Sequence, residues 1–180
     1  DSYGRNVAIG AGALNVQDAG ADAYNVAIGD SAGGAITIGV NNTIIGGLAG
    51  DALTTGVNNV AIGKNALSTE DSGGYNVAIG SYALEDQNVD NAYNVAIGHT
   101  AGRNVTTGIQ NTIIGGFAAD ALTTGTYNVA VGTYALSTED TGNASTAIGY
   151  GTLTNQNYHG STFNTAMGYN ALGDNDDDAN

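Results

Sequence analysis

The first residues that could do chemistry in this 180-residue chain form a candidate nucleophile motif. The pentapeptide Gly-Asp-Ser-Ala-Gly at 29–33 fits the Gly-x-Ser-x-Gly nucleophile-elbow pattern. That motif requires a strand-to-helix turn in an α/β sheet and a histidine partner. The two histidines, His99 and His159, form neither a triad nor a zinc-binding spacing. We interpret the match at 29–33 as accidental and predict no catalytic residue.

Paired acidic residues are the other candidates, and they recur at 70–71, 85–86 and 139–140. Together with loop carbonyls they could hold Ca²⁺, which takes oxygen ligands. Neither the Gly-Gly-x-Gly-x-Asp calcium-roll repeat nor an EF-hand spacing is present. We interpret these residues as solvated loop acids and predict no cofactor, with Ca²⁺ as an open alternative. The absence of cysteine excludes disulfides and thiolate metal sites.

The charge of the chain restricts its partners. The formal net charge is −14, and only Arg5, Lys64 and Arg103 are positive. Nucleic-acid binding depends on Lys and Arg that neutralise phosphates, so we predict no nucleic-acid partner. No apolar run approaches the roughly 20 residues of a membrane helix, so we predict no membrane insertion in this segment. The chain begins with Asp1, which suggests a mature product or a piece of a longer chain, with any targeting signal or anchor outside it.

The feature that must position all these residues is a short repeat. The pattern Asn-(Val/Thr)-(Ala/Ile)-(Ile/Val/Met)-Gly recurs ten times at intervals of 17–19 residues, with Ser145 in place of the Asn in one copy. Such a period predicts a solenoid, here an all-β parallel β-roll of ten coils of about 17 residues. We predict one β-solenoid domain over 1–173 and an acidic tail or linker over 174–180. The coils start at residues 6, 25, 42, 59, 76, 94, 111, 128, 145 and 164.

The five repeated residues predict a strand with two apolar faces. They are too short for a helix, rich in β-branched residues and closed by glycine. With the Asn as position 1, alternation puts positions 2 and 4 on one face and position 3 on the other. We expect the coil's own second strand, around positions 8 and 9, to cover one face, and a neighbouring chain to cover the other. The predicted core residues are those at position 4: Ile9, Ile28, Ile45, Ile62, Ile79, Ile97, Ile114, Val131, Ile148 and Met167.

Three other columns of the repeat have structural interpretations. Glycine at position 5 of every coil predicts a positive φ angle in a corner turn. An aromatic residue often precedes the Asn, as at Tyr24, Tyr75 and Tyr93, and predicts a stack. The recurring Asn predicts a ladder of side-chain amides from coil to coil. Its members are Asn6, Asn25, Asn42, Asn59, Asn76, Asn94, Asn111, Asn128 and Asn164.

A second period of four coils, about 69 residues, lies above the first, since 25–93 matches 94–163. The fourth coil of each unit carries a longer loop, at 15–23, 85–92 and 154–162. Insertions on one face of a solenoid are often where it binds a partner. The candidate receptor-facing loop residues are therefore Gln17, Asp18, Glu85, Asp86, Gln87, Asn155, Gln156, Tyr158 and His159.

The repeat Asn-Val-Ala-Ile-Gly-x-x-Ala-Leu resembles the head repeats of YadA-type trimeric autotransporter adhesins. It is equally similar to the Asn-Thr-Ala-Ile-Gly-Tyr-x-Ala-Leu repeats of phage tail fibres, as residues 164–172 illustrate. The resemblance covers about 5–173 and implies a left-handed β-roll assembled as a homotrimer, with its strands toward the threefold axis. The adhesin heads have shorter coils, of about 14 residues, and no catalytic residue of the family has a counterpart here.

These observations favour a non-enzymatic structural or adhesive segment of an extracellular trimeric fibre, on a virion tail or a bacterial surface. Its loops would display binding sites for a cell-surface receptor or glycan. Three alternatives stay open: an ice- or surface-binding solenoid, a self-assembling extracellular filament subunit, and a glycan-processing fibre enzyme. The first requires a flat threonine ladder, and the Thr-Thr pairs at 54–55, 106–107 and 123–124 occur in few coils.

Overall fold

The computed structural model of the chain describes residues 4–157 and 160–173. Its architecture is a β-solenoid in which ten three-residue strands form one parallel sheet in chain order. Each strand occupies positions 2–4 of a coil, which confirms the predicted repeat. The strands are β1 (Val7–Ile9), β2 (Val26–Ile28), β3 (Thr43–Ile45), β4 (Val60–Ile62), β5 (Val77–Ile79), β6 (Val95–Ile97), β7 (Thr112–Ile114), β8 (Val129–Val131), β9 (Thr146–Ile148) and β10 (Thr165–Met167).

The register places every position over its counterpart in the next coil. Val60 pairs with Val77, Ala61 with Ala78, and Ile62 with Ile79, and the same register holds between all neighbouring strands. Backbone hydrogen bonds join the coils beyond the strands as well; for example, the Gly63 N–H donates to the Ile45 carbonyl at 2.7 Å. A sheet of ten strands at about 4.8 Å spacing is roughly 45 Å long.

The corner after each strand depends on glycine for two reasons. The glycine at position 5 has a φ between 126° and 139° in every coil, a region that L side chains rarely adopt. Its backbone also lies against the next coil, so that a Cβ added at Gly80 would stand 2.3 Å from the Gly98 carbonyl oxygen. The predicted positive φ is confirmed, and the close approach of the coils is a second constraint.

The predicted second strand is absent from the described residues. Positions 6–9 form a tight turn instead, because positions 7 and 9 both take left-handed φ angles in every coil, as at Tyr82 (62°) and Leu84 (48°). A chain that alternates into the left-handed region cannot extend as a strand. The alanine and leucine at positions 8 and 9 still reach the interior, where Ala83 and Leu84 are fully buried.

The core inside the coil combines positions 3, 8, 9 and 12. Interior coils with leucine at position 9 have a buried polar residue at position 12, glutamate after Leu67 and Leu136 and glutamine in the others. Coils with glycine or alanine at position 9 have Ile36, Leu53, Val105 or Leu122 at position 12. Each interior coil therefore supplies a large aliphatic side chain from one of these two columns. This exchange is one physical basis of the four-coil period.

Gly46→Ala and Gly47→Ala form a matched test of the corner. Position 46 has a φ of 136°, and an added Cβ would lie 2.5 Å from the Gly63 oxygen, whereas the nearest atom at position 47 is 4.0 Å away and φ is not left-handed. We expect Gly46→Ala to lower the free energy of unfolding by about 2–6 kcal/mol, from about 1–3 of backbone strain and about 1–3 of overpacking. Denaturant unfolding of both variants measures the difference, and equal losses would contradict this account.

Candidate functional site

The largest candidate surface is the outer face of the sheet, formed by positions 2 and 4. The position-4 residues predicted as core lie on this outer face, because alternation turns them away from the buried position 3. They are half-buried in β2–β9, and Ile9 and Met167 at the two ends are 58% and 71% exposed. The core within the chain instead contains Ala27, Ile44 and their counterparts at position 3. Cover of the outer face by another chain stays a prediction.

Most position-1 asparagines of the interior coils use both the oxygen and the nitrogen of the side-chain amide in hydrogen bonds. The Oδ1 of Asn42 accepts the backbone N–H of Asn59 at 2.9 Å, and its Nδ2 donates to the Gly56 carbonyl at 2.8 Å. The same pair of bonds recurs at Asn25, Asn94, Asn111 and Asn128. The ladder therefore runs mainly from side chain to backbone rather than from amide to amide. With oxygen and nitrogen both engaged and buried, these amides have a structural role.

The glutamines predicted as receptor-facing turn inward instead. Gln87 is fully buried and Gln156 is 4% exposed, while Gln17 is half-buried. The Oε1 of each accepts a hydrogen bond of 2.7 Å from the Nδ2 of the next coil's Asn, at Asn25, Asn94 and Asn164. Each glutamine thus anchors its long loop to the Asn row. A sequence pattern cannot distinguish such an inward anchor from a solvated loop residue.

The exposed part of the long loops is smaller than predicted. Asp18, Asp86 and Asn155 are exposed and free to meet a partner, whereas Glu85 is half-buried and binds Arg103 at 2.6 Å. Tyr158 and His159 lie outside the described residues. The loops therefore present a sparse acidic and amide surface.

Two of the predicted solvated acids are buried. Glu70 and Glu139 occupy position 12, and the Oε1 of each accepts a backbone N–H at 2.7 Å, from Gly73 and Gly142 respectively. Loss of solvation raises the pKa of Glu70, and hydrogen bonds from Gly73 and Val89 oppose the rise only in part. Within 4–157 and 160–173 no group of three or more His, Cys, Asp and Glu is placed to hold a metal ion.

The nucleophile-like motif lies in one of the coil corners. Ser31 has a φ of 54°, and the chain continues into the next coil of the solenoid rather than into a helix. His99 stands four coils away along the solenoid, and the other histidine is not described. The described part of the chain therefore lacks the strand-to-helix elbow that this chemistry requires. No helix among the described residues is long and apolar enough to cross a membrane.

A row of aromatic rings, which we name the aromatic strip, was not predicted. It crosses six consecutive coils with centroid separations of 5.3–6.0 Å. Two neighbouring rings are nearly parallel when both stand at the same position of their coils. They are nearly perpendicular when one stands at position 6 and the other at position 7. The change of position hides the row from a column-by-column comparison of the repeats. The members are Tyr82, His99, Phe117, Tyr134, Tyr150 and Tyr169.

The aromatic strip is also free of acidic residues. Positions 6 and 7 carry no carboxylate from the coil of Asn59 to that of Asn164. Lys64 and Arg103 both lie over the Tyr82 ring, at 6.0 and 5.4 Å from its centroid. A second, shorter stack joins Tyr75 and Tyr93 at 4.9 Å, as the aromatic column before the Asn predicted.

Comparisons with models of known protein families, with curated proteins and with solved structures find no match.

Glu70→Gln should remove a pH dependence of stability that the buried carboxyl creates. Because the folded-state pKa lies above the unfolded value, the folded protein favours the protonated form. The contribution of this carboxyl to the free energy of unfolding is therefore fully present below the unfolded pKa of about 4.3. It is lost as pH rises through the folded pKa. We expect Glu70→Gln to be more stable than the unmodified chain at pH 7, with a gap that closes toward pH 4. Denaturant unfolding across this range measures it, with the exposed Asp71→Asn as control. A pH-independent gap would contradict the prediction.

Proposed function

We propose that this chain is a non-enzymatic structural segment of an extracellular homotrimeric fibre, on a virion tail or a bacterial surface. The observation that supports it best is the outer face of the sheet, an uninterrupted lane of Val, Thr, Ile and Met over ten coils. None of the 17 acidic residues stands at position 2 or 4 in any coil. A lane of one chemical character in so acidic a chain favours a protein surface as its cover.

The size of this face supports a second copy of the chain as that cover. The face is roughly 45 Å long and about 10 Å wide, from ten strands at 4.8 Å and three residues at 3.3 Å. Monomeric soluble proteins rarely expose contiguous apolar patches above a few hundred Å². Three copies packed around a common axis would each bury the same face and leave no free apolar side, in accordance with closed rotational symmetry.

The display role rests on the surfaces that such packing would leave outside. We infer that the aromatic strip, rather than the long loops alone, contacts a cell-surface glycan. Aromatic rings attract the polarised C–H groups of a sugar through their negative faces. The rings repeat at nearly the length of one sugar ring, and the absence of carboxylates along the strip removes the charge repulsion that an acidic polysaccharide would otherwise meet.

Ile79→Lys should break the trimer without unfolding the coil. Ile79 is half-buried at the centre of the outer face, so its ammonium would be solvated in one chain but buried between chains. Burying an unpaired charge costs several kcal/mol, so we expect the mass in sedimentation velocity to fall from three chains to one with an unchanged circular dichroism spectrum.

The control for Ile79→Lys is Thr55→Lys, which adds the same charge at an exposed position off the sheet. It should remain trimeric. Dissociation of both variants, or of neither, would count against the outer face as the interface.

Replacing Tyr134 and Tyr150 together by leucine should weaken glycan binding by about tenfold, since each aromatic contact contributes about 0.5–1.5 kcal/mol. The probe is an immobilised panel of cellulose oligosaccharides, dextran and mannan, with retention measured for each variant. Tyr24→Leu with Tyr127→Leu removes two rings that are 50% and 57% exposed but lie outside the strip, and it should bind as the unmodified chain does. No retention on any of the three glycans, or an equal loss in both pairs, would reject the strip as the contact.

A further inference from the structure

Two buried amide groups in the first complete four-coil unit have no hydrogen-bond acceptor. They are the Nδ2 of Asn76 and the Nε2 of Gln87, and both side chains are fully buried. A buried polar group without a partner costs about 1–3 kcal/mol. Two such groups together strongly favour the presence of an acceptor beside them. The carbonyl that other coils offer comes from a glycine 14 residues after the Asn, whereas 14 residues after Asn76 lies Asp90, in the lengthened loop.

Rotating either amide does not remove the problem. The Oε1 of Gln87 accepts from the Nδ2 of Asn94 at 2.7 Å, and the Oδ1 of Asn76 accepts from the backbone N–H of Asn94 at 3.1 Å. If either amide were rotated by 180°, its nitrogen would take the place of its oxygen. The nitrogen would then face an Asn94 donor, and the hydrogen bond from Asn94 would be lost. Both oxygens bind Asn94, that of Gln87 through the side-chain amide and that of Asn76 through the backbone N–H.

The second unit shows what fills the corresponding place. Ser145 stands where Asn76 does, and its hydroxyl bonds to the hydroxyl of Thr162. The Nε2 of Gln156 has three acceptors there: Glu139 Oε2 at 3.0 Å, Ser145 Oγ at 3.1 Å and Thr162 Oγ1 at 3.4 Å.

The first unit lacks the Thr162 hydroxyl. Ala92 occupies the same place in the coil, two residues before the next position-1 Asn, and it is fully buried. Alanine has a counterpart of the threonine Cβ but none of its Oγ1, so the hydroxyl of the second unit has no counterpart in the first. The Oε2 of Glu70 accepts only a long bond of 3.4 Å from the Val89 N–H, so it has capacity to accept another.

We propose that an internal water molecule takes the place of the Thr162 hydroxyl in the first unit. It accepts hydrogen bonds from Asn76 Nδ2 and Gln87 Nε2 and donates one to Glu70 Oε2. Three polar partners match what buried waters in proteins usually have. A neutral acceptor fits better than an anion because the Glu70 carboxyl lies beside it. Loop 85–92 is then anchored in part through water, whereas the Thr162 hydroxyl fills the corresponding place beside Gln156.

The reciprocal variants Ala92→Thr and Thr162→Ala test this site. In oxygen-17 relaxation dispersion, which counts long-lived internal waters, we expect Ala92→Thr to lose one water and Thr162→Ala to gain one. High-resolution crystallography of the unmodified chain should show density within hydrogen-bond distance of Asn76, Gln87 and Glu70. Thr162→Ala and the unmodified chain keep the test valid if Ala92→Thr does not fold.

Two arrangements would overturn the proposal. In one, Gln87 donates directly to Glu70, as Gln156 does to Glu139. In the other, Gln87 donates forward to carbonyls of the next coil, as Gln17 does to Thr37 and Gly39. Both predict no density between the three groups, and no change in the count of long-lived waters for either variant.

Discussion

The close approach of neighbouring coils at the position-5 glycine is the constraint on which the rest of the structure depends. A Cβ there would stand 2.3–2.6 Å from the nearest backbone atom of the next coil at every corner but the last, so each coil must follow the path of the one before it. This contact fixes the register, and the register stacks every column of the repeat on itself. The asparagine row, the outer apolar face and the aromatic strip all follow from this stacking of equivalent positions in successive coils.

The thin roll has room for few large aliphatic side chains. Each interior coil supplies one of them, from either position 9 or position 12. Leucine at position 9 accompanies a polar residue at position 12, and glycine or alanine at position 9 accompanies an aliphatic one. Buried polar residues of the core are bonded to their neighbours, as Glu70 is to the Gly73 N–H and Gln156 to Glu139. Buried polar groups are tolerated when they are satisfied, which is why the orphaned amides of Asn76 and Gln87 are informative.

The repeat alone predicted the strands, the parallel stacking and the corner glycines, because all three follow from period and residue type. It did not predict the turn at positions 6–9, since the residues with left-handed φ there include Leu67, Tyr82 and Phe117, which have no intrinsic preference for that region. Nor did it predict the burial of Glu70, because a glutamate in a loop is ordinarily solvated. Position 4 was predicted as core, whereas the buried strand column within the chain is position 3 and position 4 lies on the outer face. The residues of the aromatic strip stand at either of two positions in the coil, so no single column of the repeat indicates the strip.

The central claim is that the outer face of the sheet is an interface between copies of this chain. The most direct measurement is the mass of the unmodified protein by multi-angle light scattering on a size-exclusion peak. We expect three times the chain mass of 17.9 kDa, unchanged on dilution. A stable single-chain mass would contradict it, because the uninterrupted apolar face would then be open to water in a soluble monomer.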